Sequence, residues 1–319
     1  MAFVKTNAIF ILFSSTLFAI NGRFLRELIE FALKNESSSH ILIVPFISGW
    51  LLFTARLSWS AASHRPRASG IITLTIGIGL LGFAVFGGRP VLTNDYLTLR
   101  TLALLIAWFG GFLCLYGIVG FKAASFPLLF LVLMVPIPTG MLQRIIAHLQ
   151  CGSATMAALL FKATGTPFFR DGTVFSLPGT NIDIAPECSG IRSSMALFIT
   201  AMLAGYLTLR SSWRRAVFVL AAIPMAMLKN SVRIVTLCLL GIHVDLRILT
   251  DSNLHHRGGI LFFILALLLM APPLWILRRS ESRVRDKRSA MFEPGLMEKV
   301  QRSKTVASRT KKDGLEQRI

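Results

Sequence analysis

The sequence predicts an all-α polytopic membrane protein of about eight transmembrane helices, with a long outer loop, carrying a short hairpin, between spans five and six. Three observations predict it. Of 319 residues, 54% are hydrophobic and only 15% charged, against about 25% charged in ordinary soluble domains. The apolar residues come in runs of roughly 17 to 22, the length a helix needs to cross about 30 Å of hydrocarbon. Those runs are continuously apolar, without the inside/outside alternation of a spanning barrel strand.

In chain order, the first span is the run 4–21, followed by a charged outer segment 22–39. The run 40–55 returns to the inner side, where 56–68 carries arginines and no acid. Residues 69–87 form the third span and 99–119 the fourth, joined outside by 88–98. A short inner link at 120–123 leads to the fifth span, 124–136, which Pro136 and Pro138 end at the interface. The outer segment 137–190 comes next, and its stretch 166–186 reads as extended or hairpin structure from Pro167, Gly172, Thr173, Pro178, Gly179 and Thr180. Spans 191–209, 216–236 and 259–277 complete the membrane body, residues 1–277. Residues 278–319 form a basic tail, read as disordered and cytoplasmic.

Charge sets the orientation. Apart from the tail, the inner segments carry Lys5, Arg56, Arg65, Arg67, Lys122, Arg210, Arg214 and Arg215 and no acid. The outer segments take the nine acids that lie outside the tail. Short loops rich in Lys and Arg stay in the cytoplasm, so both termini are expected there, in a cell membrane. The net charge of +19 is no nucleic-acid footprint, because 13 of the 34 basic residues sit in the tail. A tail of that kind is solvated or rests on anionic membrane lipid. Cys114 and Cys238 fall in apolar spans, and Cys151 and Cys188 on the outer side. No spacing suggests a zinc site or a CxxC pair. No metal or organic cofactor is implied.

Ionisable groups near the bilayer are expensive and normally have a task or a partner. Arg192 opens the sixth span just after Glu187 and Cys188. Lys229 and Arg233 lie four apart on one face of the seventh. His255, His256 and Arg257 precede the eighth. The orientation brings these three helix ends to one outer depth, with a thiol, a guanidinium and an imidazole. That set suffices for acyl transfer. A thiolate attacks a carbonyl, and positive surroundings favour its ionisation. An imidazole takes and returns the proton. A guanidinium near the carbonyl oxygen stabilises the tetrahedral anion.

Local words in the sequence then point to a family. The string Pro186-Glu-Cys-Ser-Gly-Ile-Arg-Ser-Ser194 resembles the signature of the exosortase/archaeosortase family of membrane transpeptidases. Asn230-Ser-Val-Arg-Ile234 resembles its Asn-x-x-Arg-Ile word, and His255-His-Arg-Gly-Gly259 its His-x-x-x-Gly word. Ser39-His-Ile-Leu-Ile-Val-Pro45 and Pro136-Ile-Pro138 are weaker echoes, and the likeness covers about residues 35–275. The resemblance implies Cys188 as nucleophile, Arg233 as partner of the oxyanion or substrate carbonyl, and His255 as general acid/base, with His256 the alternative. It places Arg192 and Asn230, with Ser189 and Gly190, around the site rather than in the reaction. Glu187 is a candidate to hold Arg192 or Arg233 by a charge-assisted bond. Family substrates are exported proteins ending in a short motif, commonly Pro-Glu-Pro, one membrane helix and a basic cluster. The enzyme is expected to cut near the motif at the outer face and pass the new C-terminus to an acceptor nucleophile that the sequence does not identify. Segment 137–187 is expected to lid that site and to add to a substrate strand.

Two rival classes share parts of this pattern. A transporter could use Arg192, Arg233 and His255 to bind an anionic solute, but would need them near mid-membrane and usually a repeated architecture. A surface-polysaccharide polymerase or ligase also has many spans and outward-facing Arg and His, but would not require the thiol.

Overall fold

The computed structural model describes residues 2–55, 67–87, 93–178, 180–243 and 259–282. They form two compact units that meet within one helix, residues 1–196 and 197–319. Among the described residues, seven helices are long and apolar enough to cross a membrane, or eight if a bent pair near the N-terminus is one span.

The first unit is organised around α5 (Thr93–Ala123), whose run is interrupted at Gly117, φ 69°. Helix α1 (Ala2–Ile20) packs along it through Phe10, which lies 5.2 Å from Trp108 and 5.6 Å from Phe112, ring centre to ring centre. Two polar bonds fix the direction of this pair: Tyr116 Oη donates to Asn7 Oδ1 at 2.8 Å, and Trp108 Nε1 to Ser14 Oγ at 2.9 Å. The two helices are therefore antiparallel. Helix α4 (Arg67–Phe86) is antiparallel to α5 too, in small-residue contact. A Cβ on Gly70 would meet Cys114, one on Gly77 Ala107, and one on Gly110 Leu74, each at 2.4 Å or less from backbone nitrogen. Between apolar helices, such close backbone approach supplies the packing that lipid cannot.

At the Thr93 end of α5, the chain turns sharply after α1. Helix α2 (Gly22–Lys34) leaves it at 74° and lays Phe24, Leu28 and Ala32 against Tyr96, Leu97 and Leu104. The Arg100 guanidinium stacks over Phe24 at 4.6 Å. Residues 36–42 make a 3-10 turn into α3 (Val44–Thr54), which is pinned when Ser48 Oγ donates to the Pro127 carbonyl.

Helix α6 (Ser125–Phe130) and a 3-10 turn at Leu131–Met134 are too short to be counted as a spanning helix. Nevertheless the segment returns the full length of α5. Thr98 Oγ1 donates to the Pro136 carbonyl at 2.9 Å, Asn94 Nδ2 to that of Ile137 at 2.6 Å, and the Thr139 amide to Asp95 Oδ1 at 2.7 Å. The predicted fifth span, 124–136, is thus a short helix and a 3-10 turn continued by extended residues around Pro136 and Pro138, and it falls short of a spanning helix. One end of the unit gathers Asn7, Gly70 and Tyr116; the other gathers α2, the start of α5 and residues 136–139.

The segment predicted as a long loop with a hairpin is different. It contains α7 (Thr139–Ala163), 25 residues long, and then a three-stranded antiparallel meander: β1 (Phe169–Asp171), β2 (Val174–Leu177) and β3 (Thr180–Asp183). The expectation failed because Gln143, Arg144, His148 and Gln150 interrupt the apolar run that would have signalled the helix. Gly165, φ 71°, ends α7, with the Thr166 amide reaching back to the Phe161 carbonyl at 3.0 Å and that of Gly165 to Lys162 at 3.2 Å. This is the two-bond stop that favours glycine. Phe161, Phe168 and Phe175 then pack the meander onto the last turns of α7, with ring centres 5.5 to 5.8 Å apart.

The second unit is a three-helix assembly of the later part of α8 (Ile191–Thr208), α9 (Ser212–His243) and α10 (Gly259–Ser282). Leu197, Ala201, Phe218, Ala222, Ala226, Ala266 and Met270 form its core. A carboxylate latches one end. Glu281 accepts the amides of Arg210 (3.1 Å) and Ser211 (2.8 Å) and pairs with Arg214 at 3.4 Å. The carboxylate thus holds the two residues that lead into α9. The tail from residue 283 lies outside the described residues.

Candidate functional site

The cysteine word becomes a specific piece of backbone. Pro186–Ser189 form a 3-10 turn, closed by the Cys188 amide donating to the Ala185 carbonyl at 2.8 Å. Gly190 follows in the left-handed region, φ 73°, where a Cβ would be strained. Helix α8 starts at the next residue. The Gly190 carbonyl accepts the Ser194 amide at 2.9 Å and the hydroxyls of Ser193 (3.0 Å) and Ser194 (2.9 Å). Glycine at 190 is thus what lets the turn swing into the helix and leave Cys188 just before its N-terminus.

Cys188 is half-buried and Arg192 is exposed. Ser189 is 1% exposed, and its hydroxyl has no partner among the described residues. None of the four cysteines is in a disulfide. Behind the turn, Gln150 Nε2 of α7 donates to the Ile184 carbonyl at 2.8 Å, and the Ile184 amide donates to that of Thr173 at 3.2 Å. Sequence reasoning misses Gln150. Its only signal is a lone amide in the middle of a half-apolar stretch.

The arginine word lies in the second unit, on α9. Asn230 is 1% exposed, Lys229 2% and Ser231 0%, while Arg233 is half-buried. Lys229 is therefore covered by protein. From the Glu281 latch, α9 rises about 31 Å to Arg233, and α10 runs back about 33 Å to Gly259, at 1.5 Å per residue. Within this unit, Arg233 and the start of α10 share one end. His255, His256 and Arg257 lie outside the described residues, as does the side chain of Glu187. The structure thus places Cys188, Ser189 and Gly190 on one turn with Arg192 just after it at the start of α8, and Lys229, Asn230 and Arg233 on one helix face.

Folded this way, the chain is a polytopic helical membrane protein with a half-buried thiol on a glycine-terminated turn at the head of a membrane helix. Residues 32–272 match the model of the transmembrane exosortase family, and the chain belongs to that family. It is accordingly a membrane transpeptidase of the kind that processes C-terminal sorting signals of exported proteins. No curated protein and no solved structure matches the chain.

Proposed function

We propose that this protein is a membrane cysteine peptidase and transpeptidase that removes the C-terminal membrane anchors of exported proteins at the outer face of a cell membrane. The observation that carries the reading is the 186–194 word. In a chain of this family, it forms a rigid turn that holds Cys188 at the N-terminal end of α8. The Cys188 thiolate attacks the scissile carbonyl, and Arg233 stabilises the resulting oxyanion. Collapse of the tetrahedral adduct breaks the C–N bond, and His255 gives the departing amine its proton. The exported protein is left as a thioester on Sγ. An acceptor nucleophile then surrenders a proton to the same imidazole, attacks the thioester and frees the thiol. Glu187, Ser189, Gly190, Arg192, Asn230 and His256 shape the pocket. The level shared by Arg233 and the start of α10 supports the pairing of guanidinium and imidazole.

Charge and α7 support the outward orientation. Lys5 and Lys122 lie toward the end of the first unit marked by Asn7, Gly70 and Tyr116, while Glu27, Glu30 and Asp95 lie at the other. Basic residues without acids mark the cytoplasmic side. Helix α7 has the lowest mean hydropathy of the seven candidate spans. It also carries along its second half a meander with two open edges and exposed Asp171 and Asp183. Open sheet edges do not occur in hydrocarbon. These features support a reading in which α7 rests on the outer surface and 137–187 lies over Cys188.

The test is Cys188→Ala in cells that carry a reporter protein ending in a Pro-Glu-Pro motif, an apolar helix and a basic cluster. Processing should disappear at a normal level of the variant chain. Unchanged processing would overturn the reading.

A further inference from the structure

The meander exposes its two edges unequally, and the difference follows from register. Val174 faces Asp183 and Ser176 faces Asn181 across β2 and β3. One step beyond, the Ile184 amide donates to the Thr173 carbonyl, so 173 and 184 are a hydrogen-bonded pair. Antiparallel ladders alternate bonded and non-bonded pairs. Pairs 175/182 and 177/180 are therefore bonded, while Asn181 and Asp183 turn their amides and carbonyls away from β2. The Asp183 carbonyl is taken by the Ala185 amide at 3.0 Å. The amide and carbonyl of Asn181 and the amide of Asp183 remain on the open edge, and both residues are exposed. On β1 the same alternation leaves only Arg170 facing outward. Its guanidinium folds back onto the Gly172 carbonyl at 2.8 Å and Thr155 Oγ1 at 3.3 Å.

Unprotected edges invite pairing, and proteins normally blunt them with proline, lysine or a bulge. β3, Thr-Asn-Ile-Asp, carries no proline, lysine or bulge; its only protections are its four-residue length and the Asp183 carboxylate, which accepts the Thr173 hydroxyl at 3.0 Å. It also runs directly into the turn that carries Cys188, and the 173–184 bond and Gln150 hold that junction still. Cys188 follows Asp183 by five positions, so the thiol lies within about 17 Å of the edge by chain reach alone. At about 3.3 Å per residue, an extended peptide paired with β3 needs about five further residues to cover that distance.

We propose that the open edge of β3 docks the substrate polypeptide as a fourth strand, with Asn181 and Asp183 bonding its backbone and setting which carbonyl meets Cys188. The proposal rests on the peptidase reading above. It specifies the bound form of the substrate: an extended segment next to its membrane helix, recognised through backbone amides and carbonyls.

Two experiments in intact membranes test it, with the same tripartite-tail reporter. Asn181→Pro removes the central outward amide and should lower processing at least tenfold, whereas Arg170→Pro on the opposite edge should leave it within threefold. Equal loss in both, or undiminished processing by Asn181→Pro, would overturn the docking edge. Independently, Asn181→Cys in a chain with Cys151→Ala and Cys188→Ala is oxidised against reporters bearing one cysteine at successive positions before the membrane helix. Cross-linking should peak at two positions two residues apart and drop between them; no cross-link, or a flat profile, contradicts an added strand. Because this chain lacks the nucleophile, cross-linking reports docking alone. Continued processing by Cys188→Ala in the otherwise native chain would sink the chemistry and leave the cross-linking result to be judged separately.

Discussion

A guanidinium and an ammonium stand one turn apart on α9, and both are largely withdrawn from solvent. If positive charge were all the oxyanion required, Lys229 would already supply it. The planar fork of arginine differs: it offers parallel N–H groups in a fixed geometry, whereas an ammonium is a compact point charge. Arg233→Lys should therefore lose nearly as much processing as Arg233→Ala, on the order of 10²–10³-fold, the range seen when an oxyanion donor is removed. A lysine variant within tenfold of the parent would assign Arg233 a merely electrostatic role. Ser189 shows a second feature of this scale. Its hydroxyl is buried beside the nucleophile with no partner among the described residues, an arrangement that costs about 1–3 kcal/mol if left unsatisfied. A peptide seated at Cys188 is a source of such a partner.

Among elements, the closest packing is that of α4 on α5. A Cβ at Gly77 would stand 2.3 Å from the Ala107 amide nitrogen, whereas one at Gly79 meets nothing within 4 Å. Backbone cannot yield as a side-chain tip can, so Gly77→Val should cost about 1–3 kcal/mol by overpacking. Gly79→Val carries only the propensity difference of an exposed helical site. A thermal scan of both variants in detergent checks this: Gly77→Val should melt several degrees lower and Gly79→Val close to the parent. Equal melting points would mean that the two helices do not meet as described. Elements also show where the sequence was readable. Runs such as 69–87 and 259–277 are uniformly apolar, and α4 and α10 follow them closely. Residues 124–136 could be read as a span only because Pro136 and Pro138 mark its end, since helix and 3-10 turn together stop at Met134. The α1–α2 bend and α7 were hidden for one physical reason. Both stretches mix charged with apolar residues, and the mixture resembles a loop when only apolar length is counted. The meander was partly visible through its glycines and prolines, but a third strand requires a partner edge that no local pattern announces.

For the molecule as a whole, the decisive issue is which residues face the outside, and α7 makes it measurable. Cys151 is exposed and sits at the thirteenth of the helix's 25 positions. Were α7 a spanning helix, Cys151 would lie near the bilayer centre, out of reach of a charged reagent. As a surface helix at the outer face, it presents the same thiol to water. A membrane-impermeant maleimide added to intact cells should therefore modify Cys151, and more slowly the half-buried Cys188. Cys114 and Cys238, inside spanning helices, should stay unmodified until the protein is denatured. Single-cysteine variants separate the four. Modification of Cys151 only after the cytoplasmic side is opened would invert the topology, and its protection on both sides would return α7 to the membrane. In either case the meander, the β3 edge and Cys188 would no longer face the compartment that an exported substrate reaches, so this one labelling pattern bears on every functional proposal made for the chain.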